Sequence, residues 1–119
     1  MDAIVLLAHG SRDPLWRKPM EAVQARLQAQ KPQRLVCCAY LELCPPDLDT
    51  AITQLAANGV THITIAPLFL GAGHHVREDV PRKIKRLASV FPQLHLHLLP
   101  PVGQDERLVT LLAQLASEG

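Results

Sequence analysis

Aromatic side chains are nearly absent. One tryptophan, one tyrosine and two phenylalanines make up 3% of the 119 residues. That scarcity excludes a stacking platform for single-stranded nucleic acid. It also leaves Leu, Val, Ile and Ala to build the core. Neither sign of charge dominates: the formal net charge is +1 and no basic block stands out. A dedicated nucleic-acid binder is therefore excluded. Cysteine is sparse, at Cys37, Cys38 and Cys44. An odd count without framework spacing reads as reduced thiols in a cytosolic protein. Cys37 and Cys38 sit inside an apolar run and read as small hydrophobes buried in a strand, with metal binding as the alternative. The opening "MDAIVLLAHG" has no basic n-region, and its apolar run is too short for a membrane span or a signal peptide. The expectation is a cytoplasmic protein with no membrane partner.

What is present is a globular composition, 48% hydrophobic, of a length that suggests one domain over residues 1–119. A chain of this size buries a real core without disulfides or metals. Short apolar runs rich in branched residues predict strands at Ala3 to Ala8, Arg34 to Glu42 and His62 to Leu70, the last ending its regular part at Pro67. Leu94 to Leu99 alternates and predicts a fourth. Helical spacing recurs between them. Trp16, Met20, Val23 and Leu27 form the first helix, with Asp13-Pro14 as its cap and first residue and a kink or late start at Pro19. Leu48, Ile52 and Leu55 form the second, after Pro45-Pro46 and before the stop Asn58-Gly59. Val80, Ile84, Leu87 and Phe91 form the third, capped by Asp79 and ended by Pro92. Leu108, Leu111, Leu112 and Leu115 form the fourth, starting near Asp105. The alternation β-α-β-α-β-α-β-α predicts an α/β fold: a four-stranded parallel sheet with helices on both faces.

Ligands of such sheets bind beyond the carboxyl ends of the strands. After the first strand comes "HGSRD" with His9, Ser11 and Arg12. After the second comes "LELCPP" with Glu42. After the third comes "GAGHHVRED" with His74, His75, Arg77, Glu78 and Asp79. Imidazoles and a carboxylate distant in sequence thus converge on one edge. Each also has an ordinary structural explanation. His9 can fill a corner, Glu42 can be solvated before a Pro-Pro turn, Asp79 can be only a cap, and one of the twin histidines can point to solvent. His62 reads as structural. His95 and His97 share one face of the fourth strand, and a polar face on an edge strand explains them as readily as a metal does.

"LLAHGSRDP", "LE" before a proline-containing helix entry, and "PLFLGAGHHVREDVP" together resemble the class II tetrapyrrole chelatases, in particular the short sirohydrochlorin cobaltochelatase group. The resemblance runs from Ile4 to about Leu112. It departs modestly, with Val80 where isoleucine is usual and His74 at a variable position. It implies a chelatase-like single domain, half of a two-domain class II chelatase, and assigns His75 and His9 as the metal-handling histidines and Glu42 as the acidic catalytic partner. It implies insertion of a divalent metal into sirohydrochlorin without ATP, in cobalamin or siroheme biosynthesis. Cobalt is favoured, then iron, with nickel as a third candidate. The metal is a substrate, and no permanently bound cofactor is expected. The short members pair as homodimers, so a second copy of the chain is the expected partner. Ser11, Arg12, Gly71, Gly73 and Arg77 are the substrate-binding candidates, with Arg82 near the edge. The arginines match the many carboxylates of sirohydrochlorin, and the two glycines would let the backbone turn sharply beside a flat ligand. The alternative is a non-catalytic metal or tetrapyrrole carrier with the same fold.

Overall fold

A computed structural model describes residues 1–119. The chain runs β1 (Asp2–Ala8), α1 (Pro14–Gln30), β2 (Leu35–Tyr40), α2 (Leu48–Ala57), β3 (His62–Pro67), α3 (His74–Val90), β4 (His95–Leu98), a 3-10 turn (Val102–Gln104) and α4 (Glu106–Ser117). The four strands form one parallel sheet in the order β2-β1-β3-β4. β1 is flanked on both sides, and all but its first residue are buried. Its alternating side chains serve two cores. Ala3, Val5 and Leu7 join Ile63, Ile65, Leu48, Ile52, Leu55, Val80 and Leu87 on the face covered by α2 and α3. Ile4, Leu6 and Ala8 join Met20, Val36, Cys38 and Tyr40 on the face covered by α1. Burial pushes the Cys37 thiol up to about 11 and raises that of Cys38 as well. Both behave as packing groups, as the sequence predicts.

Local signals explain most boundaries. Asp13 caps α1 by accepting a hydrogen bond from the Leu15 amide at 2.9 Å, and Pro14 opens the helix. Asp47 caps α2 by accepting from the Thr50 amide at 2.8 Å. Hydrogen bonds from the Thr50 side chain and amide hold the Asp47 carboxyl below its usual range. Asp105 caps α4. β4 is one of the two edge strands, with His95 and His97 exposed and Leu96 and Leu98 half-buried. The His95 ring stacks on His62 of β3 at 4.5 Å.

Two expectations need correction. The third helix begins at His74 with Gly73 as its cap, not at Asp79. Pro81 falls inside it and does not mark its first turn. The helix tolerates this because Pro81 and Arg77, whose carbonyl would have met the missing N–H, both lie on the exposed side. Val76, half-buried one turn before Val80, extends the apolar stripe backwards. The second correction concerns burial. Only Met20 of the first helix is buried, while Trp16 and Val23 are exposed. No residue of α4 is buried.

Candidate active site

The strand order places a topological switch between β1 and β3. The chain leaves β1 towards α1 on one face and leaves β3 towards α3 on the other. A crevice opens at such a point beyond the strand ends, and the candidate residues border it.

His9 follows β1 directly. The β1–β2 ladder continues past the strands: the Leu41 amide donates to the Ala8 carbonyl, and the Glu42 amide donates to the His9 carbonyl, each at 3.0 Å. This fixes Glu42 beside His9. Gly10 makes the approach possible. Its φ is +106°, and a Cβ there would run into the Glu42 carbonyl. The His9 ring lies against Phe69, with centroids 4.6 Å apart. Phe69 is buried at the end of β3, where the Leu68 amide donates to the Leu7 carbonyl. The imidazole therefore has a firm apolar backing while its outer side is exposed.

A hollow of about 190 Å³ opens in front of His9 and Glu42. Leu41, Val76 and Val80 give it apolar walls, and Asp79 and Lys83 give it two opposite charges. Lys83 is the residue that sequence reasoning missed as a site member, while Asp79 was placed at this edge with a helix cap as its ordinary explanation. The signal was available: Val76, Asp79, Val80 and Lys83 recur at helical spacing once the helix is allowed to start before Pro81. Asp79 also pairs with Arg82 at 3.4 Å.

His75 stands in the first turn of α3 and is exposed, next in sequence to the hollow-lining Val76 but not itself part of the lining. The twin histidines differ in engagement. His74 pairs with Glu78 one turn on at 3.2 Å, whereas His75 makes no ion pair. Gly73 offers no side-chain cap, so the first amides of α3 point outwards unpaired. Gly71 and Gly73 are not in the left-handed region, and a Cβ at either would meet nothing. The chain bends at Leu70 and Gly71 without the left-handed backbone that only glycine adopts readily. The close approaches are at Gly10 and at Gly103, which packs on the Leu70 backbone. Ser11 is spent locally, its hydroxyl accepting from the Asp13 amide at 3.0 Å. Arg12 and Arg77 are exposed, and Arg77 borders a second, mostly apolar hollow of about 110 Å³ with Phe69, Val76 and Gln104. Within the chain, no three His, Cys, Asp or Glu side chains gather closely enough to hold a metal.

A family model described as CbiX matches residues 3–119. The chain belongs to the CbiX family. A relative named sirohydrochlorin cobaltochelatase in Sulfurisphaera tokodaii is 30% identical over 118 residues, covering 99% of this chain and 93% of its own length. A solved structure of a CbiX protein assigned to cobalamin (vitamin B12) biosynthesis, from Marinobacter aquaeolei VT8, superimposes with a TM-score of 0.85 at 35% identity, covering 99% of this chain and 96% of that one. A Bacillus subtilis relative named sirohydrochlorin ferrochelatase is 33% identical over 110 residues, which are 90% of this chain but 41% of that protein. The family thus presents this fold both as a whole chain and as less than half of a longer one. No helix of the chain is long and apolar enough to cross a membrane.

Proposed function

We propose that the chain is a sirohydrochlorin chelatase, a lyase that inserts a divalent metal into the macrocycle and releases two protons. The observation that carries this reading is the CbiX match over residues 3–119. The cobaltochelatase and ferrochelatase names among the relatives give the substrate and the reaction class. Co²⁺ is the first choice of metal and Fe²⁺ the second.

The site chemistry suits this task. Insertion needs partial desolvation of the metal, acceptors for two pyrrole N–H protons and a fixed macrocycle. Neutral imidazole is a ligand for Co²⁺, Fe²⁺ and Ni²⁺ that holds them less tenaciously than thiolates do. In this reading His9 and His75 pass the metal to the macrocycle, whose nitrogens replace them as ligands. A histidine released from the metal is then a proton acceptor near neutral pH. Glu42, fixed beside His9 by the backbone ladder, balances the metal charge and relays the protons. The exposed Arg12 and Arg77, Lys83 in the hollow and the unpaired amides of α3 meet substrate carboxylates. Gly71 and Gly73 serve by leaving open space before those amides. Ser11 contributes by shaping the His9 loop rather than by binding substrate directly.

The exposed site, the lack of a three-donor cluster and the double-length relatives all support a second copy as the opposite wall of the cleft. We place the protein in the cytoplasm, with the metal as substrate and no resident cofactor. Replacement of single histidines tests the assignment. His9→Ala and His75→Ala should each slow insertion at least about tenfold, while His74→Ala, already engaged with Glu78, should change it little. Near-normal insertion by His75→Ala would sink the metal-handling role given to it.

A further inference from the structure

Leu43, the residue after Glu42, is the one non-glycine residue with a positive φ, +70°. Across it the Cys44 amide donates to the Glu42 carbonyl at 2.9 Å. A hydrogen bond that spans one residue with this φ makes a γ-turn of the rare, strained kind. Glycine takes such a backbone freely, and a bulky leucine does not. Strain of this sort persists only where the surroundings over-determine it. Here they do. The Leu41 and Glu42 amides are bonded to Ala8 and His9 on one side, and the Tyr40 amide donates to the Pro46 carbonyl at 2.9 Å to close the neck of the loop.

The leucine side chain does nothing for the core. It is 51% exposed and belongs to neither apolar cluster. It lines a broad, open groove of about 770 Å³ that shares Leu41 and Glu42 with the His9 hollow. Leu70 is its counterpart after β3. The 3-10 turn grips the backbone there: the Gly103 amide donates to the Phe69 carbonyl at 2.9 Å, and Gly103 packs so closely on Leu70 that a Cβ would overlap it. Yet the Leu70 side chain is 67% exposed. The strand order β2-β1-β3 sets His9, which follows β1, between the two loops. A single leucine on a surface needs no explanation. Two of them, held by constrained backbone on either side of a candidate catalytic imidazole, do.

We infer that Leu43 and Leu70 are apolar rests for the face of the tetrapyrrole, and that they hold the ring beside His9. This rests on the chelatase reading given above and names the residues that carry the ring rather than its charges. The ring is flat and apolar in the middle and anionic at its rim. Cationic side chains meet the rim, while the ring face calls for side chains that give up water readily. An aliphatic contact also orients the ring without competing for the metal, because leucine has no donor atom. The strained turn then has a purpose. It fixes Glu42 beside His9 and turns the next side chain outwards, so the proton relay and the ring contact are set by one backbone bend.

Leu43→Gly separates strain from contact. It relaxes the turn, so the denaturation midpoint should be no lower than that of the wild type. It also removes the rest, so metal-free sirohydrochlorin, titrated anaerobically by absorbance, should bind about tenfold more weakly. Leu43→Met keeps the apolar contact and should bind within about twofold of the wild type. Leu70→Ala should weaken binding about threefold. These losses should be the same at low and high salt, because the contact is not ionic. If the wild type binds and metallates sirohydrochlorin while Leu43→Gly and Leu70→Ala bind it as tightly, the leucine rests are overturned and the chelatase reading stands. A wild type that neither binds nor metallates sirohydrochlorin would overturn the chelatase reading, and the rests with it.

Discussion

Lys83 illustrates what a single side chain adds to the site. It shares a hollow with His9, Glu42 and Asp79, and its charge helps to lower the Asp47 carboxyl as well. A cation there has no role in binding M²⁺ and every reason to bind a carboxylate of the macrocycle. Lys83→Met should therefore raise KM for sirohydrochlorin about fivefold and leave kcat within about twofold, the pattern of lost uniform binding. A fall in kcat at unchanged KM would mean that Lys83 acts on the reacting centre instead. His9 and Glu42 were legible as edge residues because His9 directly follows β1 and Glu42 lies two residues beyond the end of β2. Lys83 was not, because Pro81 concealed the true start of its helix. The choice of His75 over His74 rests on the family motif and remains a proposal. The His74–Glu78 pair now supplies a physical distinction.

At the scale of elements, strand and helix types followed the apolar periodicity closely. The expected cap at Asp13 is used, the one at Asp79 is not, and Asp47 and Asp105 also serve as caps. Composition does not reveal which glycine the backbone angle requires. Gly71 and Gly73 lie in open space, whereas Gly10 has φ +106° and touches the Glu42 backbone. The β1–α1 and β2–α2 loops are therefore one unit, clasped at Gly10. Gly10→Ala should lower stability by about 3 kcal/mol through backbone strain and steric contact. It should also reduce insertion beyond what the unfolded fraction explains, because Glu42 moves away from His9. Chemical denaturation alongside a rate measured on the folded fraction checks both parts. A variant as stable and active as wild type would show that the clasp is dispensable.

For the whole molecule, the parallel sheet and its two cores were readable, but the fate of α4 was not. An amphipathic pattern states which side of a helix is apolar and says nothing about which surface covers it. The same holds for Trp16 and Val23 on α1. Under the proposed second-copy reading, insertion activity per chain should fall on dilution, as the paired fraction falls. The central claim is that this chain turns over. The direct measurement is anaerobic absorbance of sirohydrochlorin with Co²⁺, Fe²⁺ or Ni²⁺ in turn, with catalytic amounts of protein and a protein-free control for each metal. The account predicts accelerated insertion through many equivalents per chain, fastest with Co²⁺. A stoichiometric spectral shift with no acceleration for any metal would contradict it and make the chain a carrier.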